Sequence, residues 1–321
     1  MIRKLTVKEL NKRFNYEFEF HADFNIFAGT IGSGKTTLLK LIWFLTSGNL
    51  HRVISEIPFD YVSIDTSEFS LSMEQVNPNQ VKLISSFIQL DAHSEDLLYL
   101  KQEASGEVVL AQDQKVDVLN KRIADLMESS LYFPTFRRME RHAVSNTFSE
   151  ALSQLASELS VGDHKFIAAV STHDVIDMLK QKHTEISEGI NRDDTNYKTL
   201  CLRWSELEEY ITDIFSLHYD GIWISENLTF HFTDDENGTD IIRSAHLSSG
   251  EKQVLGFLCH NAFSEVDTVV IDEPELSLHP DWQRILIPIL TWQGTEKQFF
   301  IATHSENIMI RYPNNLYVLK G

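Results

Sequence analysis

One eight-residue run constrains this chain more than any other feature. Gly29-Thr30-Ile31-Gly32-Ser33-Gly34-Lys35-Thr36 matches the pattern G-x-x-x-x-G-K-[ST] in full. Phe24 to Ala28 ahead of it reads as a short strand, and helical patterning follows it to about Ser47. A strand, a glycine loop and a helix in that order turn backbone N–H groups towards one point, where they can curl around phosphate oxygens. Lys35 then neutralises the outer phosphates, Thr36 offers a hydroxyl to a divalent cation, and Thr37 extends the phosphate-binding set. An ordinary glycine-rich turn needs neither the flanking elements nor the lysine.

The rest of the chain supplies an α/β setting. Ile2, Leu5 and Val7, then Tyr16, Phe18 and Phe20, recur as in an N-terminal sheet, with weaker strands near Tyr61 to Ile64 and Phe69 to Leu71. A helix from about Asp113 to Glu128 carries Leu119, Ile123, Leu126 and Met127 at helical spacing. From about Arg141 to Leu217 helical periods dominate, as in Val175, Ile176, Leu179 and then Leu202, Leu207, Ile211, Ile214. A strand pair near Gly221 to Phe232 and a turn at Asp234-Asp235-Glu236-Asn237-Gly238 follow. Alternation then resumes: helix from about Gly250, strand Val269 to Ile271, helix near Trp282 to Leu290, strand Phe299 to Ala302. The expected division is an α/β head of residues 1–135 and 221–321 with an inserted helical lobe of residues 136–220.

Composition narrows the setting further. The 321 residues are 42% hydrophobic and 23% charged, enough to bury a sizeable core. No apolar stretch reaches the ~18–20 residues of a membrane helix; Leu38 to Leu45 is short and interrupted by Lys40. The Met-Ile-Arg-Lys start lacks the pattern of a secretion signal, so a cytoplasmic protein is expected. A net charge of −19 repels polyanions at long range, which leaves nucleic acid only a local patch or a partner subunit. Cys201 and Cys259 stand far apart without metal-site spacing and read as two buried free thiols.

Three further motifs carry chemistry. Val269-Val270-Ile271-Asp272-Glu273 is a buried-strand run ending in two carboxylates, and it looks like a Walker B segment. Asp272 is placed to hold Mg²⁺ and Glu273 to polarise an attacking water; the plainer reading is an acidic helix start before Pro274. In Leu247-Ser248-Ser249-Gly250-Glu251-Lys252-Gln253, Ser248 and Glu251 have the spacing of a capping box. Ser248 with the N–H groups of Ser249 and Gly250 could equally form a second anion site, and the two readings are compatible. Phe299-Phe300-Ile301-Ala302-Thr303-His304-Ser305 is a strand whose end presents His304, at the edge where open α/β sheets gather ligands.

Taken in order, Gly29–Thr36, Leu247–Gln253, Val269–Glu273, Ser277-Leu278-His279-Pro280 and Thr303-His304-Ser305 resemble the ATP-binding heads of the ABC superfamily, in its SMC, RecF and OLD branch. Asp272-Glu273-Pro274-Glu275 before Leu278-His279-Pro280 is similar to that branch's Walker B and D-loop and unlike transporter wording. Tyr132-Phe133-Pro134-Thr135-Phe136-Arg137-Arg138-Met139-Glu140 resembles a segment of bacterial anti-phage defence ATPases of the PtuA and AriA kind, with a weaker echo at Ile167 to Ile176. Arg137, Arg138 and Arg141 are either a solvated basic face or contacts to phosphate or DNA.

The resemblance implies an ABC-type head bound to ATP and Mg²⁺, in a homodimer or higher homo-oligomer with ATP held between Lys35 of one copy and Ser248 of the other. His304 would sense the γ-phosphate. The glutamine that joins such heads to the metal is left open between Gln75 and Gln89. The interval from Lys35 to Ser248 is too short for SMC coiled coils, and the short stretch beyond His304 leaves no room for the TOPRIM site of OLD nucleases. An ATPase controlling a separate nuclease or other effector is therefore expected. The alternatives are a non-hydrolysing, ATP-dependent scaffold or sensor and a RecF-like DNA repair ATPase.

Overall fold

The computed structural model describes residues 1–102, 104, 106, 108–110, 114–126, 129–135, 165–166, 181–186, 188, 195–216, 221–224, 230–233, 241–243, 247–264, 266–292 and 297–320. Phe24–Gly29 forms a strand (β3) and Lys35–Thr46 a helix (α1), with the glycine loop between them. Leu38, Leu39, Leu41, Ile42, Trp43, Phe44 and Leu45 of α1 are all buried. A helix this apolar, with only Thr36 and Lys40 exposed, must be covered over most of its circumference. Two sheets cover it.

The first is an antiparallel sheet made from β1 (Ile2–Leu10), β2 (Phe14–Glu19), β4 (Tyr61–Thr66), β5 (Phe69–Asn77), β6 (Gln80–Phe87), β7 (Ala92–Gln102) and β8 (Val108–Leu110), in spatial order β2-β1-β4-β5-β6-β7-β8. Helix α2 (Leu50–Glu56) follows α1, and α3 (Gln114–Leu126) follows β8. The second sheet is parallel. It joins β3 to β9 (Ser130–Phe133), β10 (Lys165–Phe166), β14 (Thr268–Asp272), β15 (Gln298–Ala302) and β16 (Leu316–Leu319), in the order β10-β9-β14-β15-β3-β16. A small antiparallel sheet contains β11 (Gly221–Ile224), β12 (Phe230–Thr233) and β13 (Ile241–Arg243).

Strands β3, β9, β14 and β15 are buried on both faces, which is why they read as unbroken apolar runs. Successive side chains still alternate between two cores. Phe27, Tyr132, Val270, Phe300 and Ala302 pack towards α1 and the antiparallel sheet. Ile26, Leu131, Phe133, Val269, Ile271, Phe299 and Ile301 face the opposite core, shared with helices α4 (Thr195–Phe215) and α5 (Ser249–Phe263). Trp43 stacks on Tyr132 with ring centroids 5.4 Å apart, which locks α1 to β9. Register then levels the strand ends: Asp272 pairs with Ala302, and Ala302 with Phe27. The residues that follow each strand emerge at one edge.

Several elements depart from the sequence reading. β6 and β7, α2 and β16 were not anticipated; β7 has only Leu98 buried, because its outer face meets solvent. The helix expected near Trp282 to Leu290 is two short ones, α6 (Pro280–Arg284) and α7 (Leu286–Thr291). Pro288 has no N–H to donate to the Arg284 carbonyl, which instead accepts from Arg311 Nη1 at 2.9 Å. Cys259 is buried, and burial pushes its thiol far above the usual range, whereas Cys201 is partly exposed rather than buried, on a helix with one side to solvent. Of the segment 136–220, α4 is the longest described piece, and its stripe of Trp204, Leu207, Ile211, Ile214 and Phe215 packs into the head's second core. Arg137, Arg138, Arg141, the stretch from Ile167 to Ile176 and the turn at 234–238 lie outside the described residues. Among the described residues no helix is long and apolar enough to cross a membrane.

One buried side chain stitches the two large sheets together. Gln298, 2% exposed, accepts from the Ile2 N–H at 2.9 Å and donates from Nε2 to the carbonyls of Ile2 and His21, both at 2.9 Å. Gln298→Ala would strand those backbone groups without water. We expect a loss of about 3 kcal/mol, read as a lowered urea midpoint; a midpoint unchanged from the parent would count against this role.

Candidate functional site

The glycine loop is held from below. Tyr16 Oη donates to the Ser33 carbonyl at 2.9 Å, Ser33 is buried, and its N–H donates to the Thr30 carbonyl at 3.1 Å. Gly29 has φ +156°, and a Cβ there would meet the Leu319 carbonyl at 2.6 Å and Ser33 Oγ at 2.7 Å. Only glycine lets β3 turn this closely against β16. Gly32 and Gly34 both have positive φ, and Gly34 caps α1. Thr30 and Ile31 form the exposed tip, and Thr37, the third residue of α1, accepts at 3.3 Å from Asn11 Nδ2.

Lys35 is only 6% exposed, and its ammonium donates to the carbonyls of Gly29 at 3.0 Å and Thr30 at 3.2 Å. Burial pushes its pKa below the usual lysine range; Glu273, Asp272 and Glu275 pull it the other way. A buried ammonium held by the carbonyls of the glycine loop, at the N-terminus of α1, suits a polyanion.

Asp272 ends β14 and is 1% exposed. Its Oδ2 accepts from Thr36 Oγ1 at 2.8 Å and from Thr135 Oγ1. The glycine loop and the carboxylate strand, far apart in sequence, thus share a hydrogen bond. A threonine hydroxyl beside a carboxylate is a hard oxygen donor set of the kind Mg²⁺ takes alongside phosphate oxygens.

Glu273 sits one residue past the strand at φ +49°, a left-handed conformation that costs a non-glycine residue on the order of 1 kcal/mol. Its N–H donates to the Ala302 carbonyl at 2.8 Å, which fixes the turn. Its carboxylate lies 3.7 Å from His304 Nε2. Burial, then the neighbouring Asp272 and Glu275 charges, push the Glu273 pKa up, against smaller downward pulls from His304 and Lys35. Glu275 accepts from the His304 backbone N–H at 2.6 Å, so the end of β15 is tied to the turn after β14. Thr303 and His304 also line an open depression of about 540 Å³ with Gly29, Thr30 and Leu319.

Ser248 caps α5 with both halves of the capping box: Glu251 N–H to Ser248 Oγ at 3.3 Å, and Ser248 N–H to Glu251 Oε2 at 2.6 Å. Ser248 and Ser249 are exposed, whereas Gly250 is buried, and a Cβ on it would meet the Ser277 carbonyl at 2.3 Å. That contact, with Gln253 Nε2 donating to the Pro274 carbonyl at 2.5 Å, presses the start of α5 onto the turn after Asp272. The Ser248 side chain forms its hydrogen bond within its own helix start and none with the glycine loop of the same chain.

Thr36, Asp272, Glu273, Lys35 and His304 therefore converge at one sheet edge, whereas the Ser248 side chain is engaged in its own helix cap. The two glutamines proposed from the sequence do not join the cluster. Gln75 bonds to the Asn77 carbonyl, and Gln89 to Glu68 Oε2. Sequence reasoning missed Thr135 and Glu275 as members of the site. Both lay in quoted runs, but a threonine after a strand and a second glutamate after Pro274 carry no spacing rule of their own.

Residues 24–310 match the family described as "AAA domain, putative AbiEii toxin, Type IV TA system". The chain belongs to this family. Within the AAA-domain family match lie all four motifs, from β3 to the end of α8 (Glu306–Met309). The chain is also 22% identical over 253 residues to the Retron Ec83 probable ATPase of Escherichia coli, covering 68% of this chain and 44% of that protein. It thus spans less than half the length of the curated relative it matches. Among solved structures, it is similar to an Smc head bound to the C-winged helix domain of ScpA (14% identity, TM-score 0.48) and to the SMC head domain from Thermotoga maritima (13%, TM-score 0.43). Each comparison covers 96% of this chain and 91% of the other. The fold is an α/β head in which the helix after the glycine loop lies between an antiparallel and a parallel sheet.

The Glu273 environment yields a pH test on the nucleotide-free protein. A carboxyl whose pKa is raised by folding contributes stability below the ordinary carboxylate range and loses it as pH rises through the raised value. Glu273→Gln should therefore raise Tm at about pH 7.5 and lose that advantage near pH 4. Melting curves at the two pH values check it; an equal Tm difference at both would show that ionisation of Glu273 is not the cause.

Proposed function

We propose that this chain binds ATP with Mg²⁺, hydrolyses it, and pairs head to head with a second copy to control a separate effector in anti-phage defence. The observation that carries the reading is the 2.8 Å hydrogen bond from Thr36 to Asp272, which puts the phosphate loop and the carboxylate strand in one site. Loop N–H groups and Lys35 would hold the phosphates, with Thr36 and Asp272 holding the cation, whose charge offsets that of the phosphate oxygens. Glu273, with its raised pKa, suits a general base that takes a proton from the attacking water. His304, 3.7 Å from Glu273, suits a γ-phosphate contact.

The pairing rests on Ser248. It is exposed at a helix N-terminus and does not bond to its own loop, an arrangement that suits contact with a nucleotide held by another copy. Similarity to a retron ATPase and the Tyr132–Glu140 run support a place in defence, with an effector such as a nuclease on a separate chain. The net charge of −19 leaves nucleic acid a local patch or the partner.

Two variants test the chemistry. Lys35→Ala should abolish ATP binding in a titration, and unchanged affinity would remove the phosphate-cradle claim. Glu273→Gln should keep ATP affinity, cut phosphate release by about 10²-fold or more, and accumulate a dimer on size-exclusion chromatography with ATP. Turnover equal to the parent would remove Glu273 as the base, and a parent without turnover above Lys35→Ala would favour a scaffold that uses ATP as glue.

A further inference from the structure

We propose that Thr135 is a positioning residue for Asp272, fixing the carboxylate that binds the cation; the inference rests on the Mg²⁺–ATP reading above. Asp272 is almost wholly buried, and its Oδ2 receives two hydroxyl donors from different elements, Thr36 from α1 and Thr135 from the chain just past β9. The two donors have different duties. A hydroxyl carries one proton and two lone pairs, so Thr36 can donate to Asp272 while a lone pair faces a cation. Thr135 approaches from the neighbouring strand and acts only on the carboxylate.

The mounting of Thr135 is stiff. Leu131, Tyr132 and Phe133 pair in register with Val269, Val270 and Ile271, and all six are buried. Pro134 fixes its own φ, and a β-branched side chain has restricted χ1 freedom. A donor held this rigidly selects one rotamer of Asp272 and concentrates charge on a chosen oxygen. Partners of metal ligands that set orientation in this way typically change metal affinity by about 10- to 100-fold when removed. Gln75 and Gln89 bond elsewhere, and among the described residues Thr135 is a side chain from the β9 edge that reaches this carboxylate.

Thr135→Val keeps the shape and removes the donor; Thr135→Ser keeps the donor. The full-length variants are loaded with ATP, and Mn²⁺ binding is titrated by electron paramagnetic resonance. ATP affinity in EDTA and the Mg²⁺ concentration for half-maximal phosphate release are measured alongside. Thr135→Val should weaken Mn²⁺ binding about tenfold or more, raise the Mg²⁺ requirement equally and leave ATP affinity in EDTA within about twofold, with Thr135→Ser close to the parent. Mn²⁺ affinity of Thr135→Val equal to the parent, or Thr135→Ser falling with it, overturns the positioning role. If the parent–ATP complex holds Mn²⁺ no better than ATP alone, the cation reading falls and this inference with it; that outcome is visible in the parent and so is distinct from failure of Thr135 alone.

Discussion

Burial of α1 over most of its circumference is the constraint from which the rest follows. A helix with leucine, isoleucine, tryptophan and phenylalanine around most of its circumference, broken by the exposed Lys40, cannot lie on a surface. The antiparallel sheet covers one side and the parallel sheet the other, and both contribute to a single continuous core with it. Once α1 is clamped there, its N-terminus can emerge only at the carboxyl edge of the parallel strands. That edge is where Asp272 and Thr303 leave β14 and β15. The glycine loop is short and closely packed against Leu319 and Tyr16, so it transmits the position of the helix to the site.

Electrostatics at that edge are deliberately unbalanced. Asp272, Glu273 and Glu275 crowd around a single buried lysine whose own ionisation is resisted by burial. Such a cluster favours a bound species that supplies positive charge to the carboxylates and negative charge to Lys35, which is what a metal–polyphosphate complex does. The left-handed backbone of Glu273 and the tie from Glu275 to the His304 N–H hold the competing groups in place. Like-charge proximity and the left-handed backbone of Glu273 coincide at this site.

Much of this was legible in the residues alone. The glycine loop, the Val269–Glu273 run, the Ser248 cap and the position of His304 follow from rules of short range: turn chemistry, strand alternation and helix capping. Elements governed by longer-range effects were not. β6 and β7 carry polar residues on their solvent side and so lack a strong apolar signal, and β16 is recognised only through its pairing with β3. The break between α6 and α7 turns on Pro288, whose effect on the preceding carbonyl is local but whose remedy, Arg311, lies on another element. Thr135 stands in a run that carries a family resemblance and no role for this residue; its meaning comes from a parallel register with β14 that no spacing in the sequence encodes.

The sequence by itself determined the chemical vocabulary: a phosphate loop, two strand-end carboxylates, a capped helix and a strand-end histidine, each written within a few consecutive residues. Tertiary structure alone decided which of these meet. Strand register brought Thr36 and Thr135 onto one oxygen of Asp272 and set His304 beside Glu273, while Ser248 stayed bonded within its own helix start. The reason is physical: capping and turn rules act within one helical turn, whereas register between parallel strands is set by burying side chains on two faces at once, across hundreds of intervening residues.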